Sequence, residues 1–599
     1  MANKAFAIRK DVFGESHPLY ASSLKQLSVF YYYLNEPSNA LNMLTKYIAF
    51  SFTHVLYQFN SLTSRQRQSL WQEATDNFSD VYPALFYKTS TQSTSDLYNK
   101  SALFSKGLLL TTEIEISRLI QESGDKDALN MFESLRSQRL QLQRLYEKPK
   151  ADREIDADSL SISVDQFEKK LINKSKVYGN FTKKLRTTWT DVQQSLADDE
   201  LAVEFLSFHI YGTDSTMVAA LTLRKDDAEP KFFPLFELRQ LKELSDTVTF
   251  ICSDLTSLVW LPMRDELKGI KTIYFSPAGV LHKIGIEYAP SMENYEMFRL
   301  SSTREVIDMK VPLKSTEELL ARLYGGINYE SSNPTESIEN HTMSDASLMF
   351  SISQHRAMID SLDLRGKQID YLPGSLREVQ NIQKTFTNMH HNAIAYTGTE
   401  ATETSVKSLS GKDTGILHLS THGFYYTESQ AKNQEKLRFL YFNDKHHGNY
   451  EDKTLTRSGL LMAGAKKAID GKDIPQDADD GILTAQEISL IDLRGIDFVV
   501  LSACETGKGD IVQGEGVFGL QRGFKKAGAQ SILMSLWSVD DEATHLLMTR
   551  FYDNLAAHME KYDALRDAQR YVRGYVTEDG RSFASPYYWA AFILLDALD

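Results

Sequence analysis

Cysteine is nearly missing from this chain: its 599 residues contain two, Cys252 and Cys504. Two thiols exclude a disulfide framework and suit a reducing compartment. No apolar run approaches the roughly 18 residues that a bilayer span requires, so no membrane partner is expected. The opening Met1-Ala2-Asn3-Lys4-Ala5-Phe6 lacks the apolar centre of a signal peptide, which makes a cytoplasmic location the expectation. Positive charge is in deficit, with 66 Lys and Arg against 80 Asp and Glu and a net charge of −14. Nucleic acid is therefore not expected as a direct ligand. Neither G-x-x-x-x-G-K-[ST] nor H-E-x-x-H occurs, which removes the P-loop and the helical zinc site. What is present is an ordinary globular mixture, 42% hydrophobic and 24% charged, with enough chain for several domains.

The stretch that organises the rest is Asp497-Phe498-Val499-Val500-Leu501-Ser502-Ala503-Cys504-Glu505-Thr506-Gly507. Phe498 to Ala503 is short, apolar and rich in β-branched residues, which predicts a strand buried on both faces of a parallel sheet. Cys504 stands at its carboxyl end, where open α/β sheets keep their chemistry. A second stretch has the same form: Ile416-Leu417-His418-Leu419-Ser420 reads as a strand, followed by Thr421-His422-Gly423. If the two strands are parallel neighbours, His422 and Cys504 emerge at one sheet edge. A thiol beside an imidazole supplies a nucleophile and its base. Alone, Cys504 reads as a small core residue and His422 as structural; the joint arrangement favours catalysis. His418 sits mid-strand and reads as buried.

Four regions follow along the chain. Residues 1–52 carry one helical repeat, with Ala21, Leu24, Leu27, Tyr31 and Leu34 at helical spacing, a turn at Asn35-Glu36-Pro37, and Ala40, Leu44 and Tyr47 beyond it. This resembles a tetratricopeptide repeat of the kinesin-light-chain type. One repeat cannot bury its own face, so either less recognisable helices follow or a longer array is involved. Residues 53–185 read as helical, with amphipathic stretches over His54–Glu73, Leu97–Gln121, Asp127–Tyr146 and about Ser163–Leu185. They form a support, a docking surface for a regulatory protein partner, or both. Residues 186–330 alternate strands and turns as a first α/β lobe, with Cys252 read as structural. Residues 331–599 form a second lobe, with expected mobile segments at 329–347 and 443–480 and an expected helix at about Val517–Ala527.

From about residue 186 onward the chain resembles a CHAT domain, a caspase-like peptidase family often joined to tetratricopeptide repeats. The motifs include Phe275-Ser276-Pro277-Ala278-Gly279-Val280-Leu281-His282, Tyr324-Gly325-Gly326 and Leu417-His418-Leu419-Ser420-Thr421-His422-Gly423. Asp480-Gly481-Ile482-Leu483-Thr484-Ala485, Leu501-Ser502-Ala503-Cys504-Glu505-Thr506-Gly507 and Leu536-Trp537-Ser538-Val539-Asp540-Asp541 extend the match. The resemblance implies an α/β caspase-like fold, a mostly parallel sheet flanked by helices, with a non-catalytic first lobe and an all-α region before it. It implies a cysteine endopeptidase acting on a protein substrate. His422 would be the base, Cys504 the nucleophile, and the backbone N–H groups of Gly423 and Cys504 the oxyanion hole. No metal or organic cofactor is implied. The segment Leu536–Asp541 also resembles the Leu-Trp-x-Val-x-Asp segment of separase, which helps shape a pocket for a basic residue. On that likeness Asp541, with Asp540 beside it, is a substrate-binding position for Arg or Lys. The plainer reading is that Asp540 to Glu542 begin a helix, where negative charge suits the dipole.

Two further patterns are set aside. Gly514-Glu515-Gly516-Val517-Phe518-Gly519 fits G-x-G-x-x-G, but Glu505 to Gln513 separate it from its strand, and Glu515 would oppose a pyrophosphate. His390-His391 and His446-His447 lie in polar surroundings without cysteine and read as solvated loops rather than metal ligands. The alternative to a protease is a catalytically silent scaffold, a helical adaptor whose caspase-like half binds proteins.

Overall fold

Pro18 and Pro37 each open a helix at the position where the missing proline N–H costs nothing. In the computed structural model they begin α2 (Pro18–Tyr33) and α3 (Pro37–Phe59), after α1 (Ala2–Phe13). The structure describes residues 2–89, 93–146, 153, 155–174, 180–243, 255–309, 318–332, 369–427, 454–472, 474, 479–503, 506–507 and 509–598. Leu24 and Leu27 of α2 and Ala40, Leu41, Leu44 and Ile48 of α3 are buried, and the two helices pack as the hairpin their spacing signalled. The helix α3 runs through position 52 without a break.

Beyond it lie α4 (Ser64–Asp76), α5 (Tyr82–Thr89), α6 (Leu108–Glu122), α7 (Lys126–Tyr146) and α8 (Ala157–Lys174). Two stretches expected to be single helices are divided. His54–Glu73 breaks because Thr63 caps α4 in a capping box with Gln66, the hydroxyl accepting from the Gln66 N–H at 3.4 Å and the Gln66 amide oxygen accepting from the Thr63 N–H at 3.1 Å. Leu97–Gln121 breaks at Gly107, whose φ of +59° lies in the left-handed region and whose N–H leaves the helical ladder to reach the Gly514 carbonyl at 2.8 Å.

The first sheet has the order β3-β2-β1-β4-β5, from β1 (Glu200–His209), β2 (Thr216–Arg224), β3 (Lys231–Glu237), β4 (Thr272–Ser276) and β5 (Glu296–Arg299). Alternation along β1 sends Leu201, Val203 and Phe205 against Trp260 and Phe275, and Ala202, Leu206 and Phe208 into the same core as Trp71, Phe78 and Phe104 of the helical region. Glu204 points to the helical side too. Fully buried, it takes Lys106 Nζ at 2.6 Å and the Thr303 N–H at 2.7 Å. Helices and first sheet therefore share one apolar core with a satisfied ion pair inside it.

The second sheet has the order β16-β15-β12-β8-β6-β7. Its members are β6 (Leu320–Ile327), β7 (Asn392–Gly398), β8 (Gly415–Leu419), β12 (Ile496–Leu501), β15 (Ser531–Ser535) and β16 (Phe592–Leu595). All pairings are parallel except β15 with β16. Around it stand α9 (Pro373–Asn388), α10 (Leu520–Ala527), α11 (Asp541–Ala556) and α12 (Lys561–Arg573). A small antiparallel sheet joins β9 (Gly423–Tyr425), β10 (Ser458–Leu461) and β11 (Ile482–Thr484), with β10 in the middle. The two large sheets meet edge to edge, the Asp596 N–H just past β16 reaching the Arg299 carbonyl of β5 at 3.0 Å. The expected α/β architecture behind a helical region is thus present.

Two more expectations need correction. The helix expected at Val517 starts at Leu520, because Gly516–Gly519 is β14, paired with β13 (Gly509–Val512) in a hairpin. Its tip carries left-handed Gly514 and Gly516. The glycine pattern there is thus a hairpin turn followed by a helix start. His391 is not solvated: it is buried, within 2.9 Å of the Ala556 carbonyl through Nε2, and its Nδ1 accepts the Leu319 N–H at 3.3 Å. The expected mobile segments lie outside the described residues over 333–347, 443–453, 473 and 475–478, and so do His446 and His447.

Candidate active site

The parallel pairing of β8 with β12 sets the register of the site. Leu417 opposes Val499, His418 opposes Val500 and Leu419 opposes Leu501. His422 stands three positions beyond Leu419, and Cys504 three beyond Leu501. Cys504 and Glu505 themselves lie outside the described residues, as does Cys252. The chain on either side of 504–505 is tied to one residue, Ser535 at the end of β15. Its hydroxyl donates to the Ala503 carbonyl at 2.7 Å, its N–H donates to Thr506 Oγ1 at 3.1 Å, and its carbonyl accepts from the Gly507 N–H at 2.8 Å.

His422 is 8% exposed. Its Nε2 lies 2.8 Å from the Asp370 carbonyl, and its ring leans against Tyr329 at 5.1 Å between centroids. A carbonyl can only accept, so Nε2 carries the hydrogen, and in the neutral imidazole Nδ1 is the basic nitrogen. Tyr329 is itself placed by a 3.0 Å hydroxyl contact with Thr421, the residue before the histidine.

Gly423 begins β9, at the edge of the small sheet. The Leu461 N–H donates to the His422 carbonyl at 2.9 Å, which makes 422 and 461 a hydrogen-bonded pair. Gly423, opposite Leu460, is the next pair, whose N–H groups point away from the partner strand. Its N–H therefore faces the edge of β9 away from β10, where no strand pairs among the described residues.

Helix α9 supplies Asp370 through its lead-in, and the close approach of the helix to β6 explains Tyr324-Gly325-Gly326. A Cβ at Gly325 would lie 2.6 Å from the Ser375 carbonyl oxygen, and Gly326, at φ +59°, would place one 2.8 Å from Leu376. The Gly326 N–H then donates to Ser375 Oγ at 2.8 Å.

Asp540 is the N-cap of α11: its carboxylate accepts the Ala543 N–H at 3.0 Å and meets Arg581 at 3.3 Å. Asp541 stands in the first turn, against the start of α9, where its Oδ2 would be 3.2 Å from a Cβ at Gly374. Asp370 and Gly374 are four residues apart, a span of at most about 14 Å, so His422 and Asp541 flank the same short segment.

Of the other histidines, His418 is fully buried, as its mid-strand position implied. His282 lies beside Gly516 of the hairpin. Burial, with the cations of Lys106, Arg299 and Lys283, pushes its imidazole down to about 3, so it is neutral. The sequence reading missed Asp370, Tyr329 and the hairpin. A backbone carbonyl has no side-chain signature, although Pro373 marked the helix start just after it.

Among the described residues there is no group of three or more His, Cys, Asp or Glu arranged to hold a metal, and no helix long and apolar enough to cross a membrane.

The family model described as CHAT domain matches residues 250–597. Among curated proteins, tetratricopeptide repeat protein 28 of Mus musculus is 32% identical over 115 residues, which is 19% of this chain and 4% of that protein. Its Homo sapiens counterpart is 31% identical over 114 residues, with the same shares. Among solved structures, two of the Saccharomyces cerevisiae separase–securin complex align at 8% and 10% identity with TM-scores of 0.33 and 0.35. They cover 95% and 99% of this chain and 47% and 48% of theirs.

Proposed function

The chain belongs to the CHAT domain family, with a caspase-like α/β fold, and on that premise we propose that it is a cysteine endopeptidase acting on a protein substrate. The observation that supports this reading is the register of β8 and β12, whose opposed ends Leu419 and Leu501 come three residues before His422 and Cys504 in the sequence. His422 serves as base through Nδ1, held by the Asp370 carbonyl at Nε2. It takes the thiol proton from Cys504, and the thiolate attacks the scissile carbonyl. The oxyanion that forms meets the N–H of Gly423, aimed off the edge of β9, and that of Cys504. The imidazolium then returns its proton to the leaving amine, and water hydrolyses the acyl-enzyme. Arg or Lys before the cut would pair with Asp541, while Asp540 is committed to the helix cap.

A protein partner bound to the helical region regulates this activity. Support comes from the hairpin β13–β14, which leaves the catalytic strand and lodges against that region. Gln513 Nε2 donates to the Ser79 carbonyl at 3.0 Å, and Glu515 accepts the Leu109 N–H at 3.1 Å.

The test is a proteome-wide cleavage profile of the wild type against Cys504→Ala. New protein termini dependent on Cys504 are expected. Identical profiles, with or without cell extract as a source of partner, would leave the silent scaffold as the better reading.

A further inference from the structure

Below the edge that carries His422, a polar network is sealed into the second core. Glu378 of α9, His418 and Ser420 of the β8 stretch and Tyr552 of α11 are all fully buried. Glu378 Oε1 lies 3.0 Å from His418 Nε2, the Ser420 hydroxyl donates to Glu378 Oε2 at 3.3 Å, and Tyr552 OH lies 3.0 Å from His418 Nδ1. Burying a carboxylate is costly, and here the groups set against its oxygens, the Ser420 hydroxyl bonded to Oε2 and His418 Nε2 close to Oε1, come from the strand that leads into His422. An apolar residue at 378 would fill the same space between Val379, Ile382 and the sheet more cheaply, so packing does not account for it.

Two routes run from Glu378 to the base. One goes through Ser420, two residues before His422; the Ser420 N–H also donates to the Tyr324 carbonyl at 2.8 Å. The other goes back along α9 to its lead-in, where Asp370 receives His422 Nε2. Glu378 thus grips both parts that orient the imidazole, the strand end carrying it and the helix whose lead-in holds its far nitrogen. We propose that Glu378, acting through Ser420 and His418, is the positioning residue of the catalytic base, a buried brace that fixes the strand end against α9 without touching substrate. The inference rests on the protease reading above.

Iodoacetamide alkylation of the full chain, followed by mass spectrometry at Cys504 and Cys252 from pH 5.5 to 9, tests it without a known substrate. In the wild type Cys504 should alkylate far faster than Cys252 at neutral pH. Ser420→Ala removes one hydroxyl and should fold normally, with its melting temperature within a few degrees. Its Cys504 rate at pH 7 should fall about tenfold, the scale of a sub-ångström misplacement. The midpoint of its pH profile should rise by about one unit toward that of an ordinary thiol. Glu378→Gln can still accept from Ser420 and meet His418, and should sit near the wild type; Glu378→Ala should resemble or exceed Ser420→Ala in effect. A merely structural brace would lower the melting temperature of these variants and leave the Cys504 profile where it was. Wild-type profiles in folded Ser420→Ala would overturn the proposal even if Glu378→Ala failed to fold. A wild-type Cys504 no faster than Cys252 would instead bring down the protease reading and the brace with it.

Discussion

Leu419 and Leu501 face each other across two parallel strands, and the residues three positions past each are His422 and Cys504. The pairing brings the carboxyl ends of two strands far apart in sequence, Leu419 and Leu501, side by side in one sheet. Parallel strands need a crossover, and here the intervening chain supplies β9 to β11 on the way. The proposed base and nucleophile follow different strands in the sequence, so neither has a local motif that depends on the other.

The first prediction concerns that pair. Cys504→Ala and His422→Ala should each cut proteolysis to about 1% of wild type or less, since members of one catalytic unit are not additive. The two should differ in stability. His422→Ala strips the donor from a carbonyl beside a buried ring, which costs about 1–2 kcal/mol. Urea denaturation of both variants reads this difference, and retention of a tenth of the activity by either would sink the assignment.

A second prediction tests the approach of α9 to the sheet. Gly325→Ala puts a methyl group 2.6 Å from the Ser375 carbonyl oxygen and 2.7 Å from Val379. Backbone cannot yield there as a side-chain tip could, so a cost of about 1–3 kcal/mol is expected. The helix should move off β6 and take Asp370 with it, lowering catalysis as well as melting temperature. Calorimetry showing an unchanged transition would refute the account of this motif.

Much of this architecture could be read from the chain alone, because strands buried on both faces announce themselves. Gly415–Leu419, Ile496–Leu501 and Ser531–Ser535 are runs of large apolar residues that have few other uses. Asn392–Gly398 was harder, since it is an edge strand whose pattern Asn-Ala-Ile-Ala-Tyr-Thr-Gly is only partly buried. The hairpin β13–β14 was read as loop and helix because its four glycines mask a two-residue period. Gly107 shows the converse: it breaks a long helical pattern where its N–H is needed by Gly514 across the molecule, a demand that no local propensity contains. Around His422, the strand that leads to it was legible and the groups that hold the ring were not. The group at His422 Nε2 is a backbone carbonyl, and the buried partner of His418 lies on a different element, 40 residues earlier in the chain.

A third prediction concerns pH. Asp480 and Glu403 stand with Glu487 and Asp479 around Lys407, and Asp479 also pairs with Arg144 of α7 at 3.0 Å. Burial, then the nearby Glu487 carboxylate, pushes Asp480 from 3.8 up to about 7; burial and Glu487 also push Glu403 upward. A carboxyl raised in the folded state holds its proton more tightly there than in the unfolded chain. Its contribution is complete below about pH 4 and is lost as the pH rises through 7. Asp480→Asn keeps the 2.8 Å acceptor for the Ile482 N–H but not the charge. It should be more stable than wild type at pH 8 and show a flatter stability profile between pH 5 and 8. Equal slopes for the two proteins would contradict this.

The fourth prediction addresses restraint by the helical region. That region shares its core with the first sheet, so truncation would expose Trp71, Phe78 and Phe104 rather than release an intact protease. Substitution at the hairpin is the cleaner probe. Gln513 donates to the carbonyls of Ser79 and Ser207, one from each side of the seam. Losing two hydrogen bonds of about 1 kcal/mol each should shift a restrained equilibrium by about tenfold or more. Gln513→Ala is expected to raise basal cleavage by that order without any partner, with little change in melting temperature. Unchanged or lower basal cleavage would count against a clasp and in favour of a purely structural contact.

The last prediction concerns what is cut. Three carboxylates begin α11, but they do not stand alike. Asp540 is consumed by the helix cap and by Arg581, and Glu542 pairs with Arg581 at 2.5 Å. Asp541 turns toward Gly374 at the head of α9, four residues after Asp370, whose carbonyl holds His422. Two helix N-termini meet there, and both favour a negative charge. A half-buried carboxylate so placed can receive the side chain before the cut through a charge-assisted contact, bidentate for Arg. Cleavage should therefore follow Arg or Lys, with Arg preferred. Asp541→Asn should lose about 2 kcal/mol of that preference, the scale of a hydrogen bond to a charged group, or roughly thirtyfold in kcat/KM for a basic over a neutral residue. Asp540→Asn can still cap the helix and should leave the preference intact while loosening Arg581. A peptide library profiled with all three proteins separates these outcomes. Preference for apolar or acidic residues in the wild type would reject Asp541 as the specificity residue, and loss of basic preference in Asp540→Asn alone would move the pocket to the cap; neither outcome bears on the proposal for His422 and Cys504, which the first prediction tests separately.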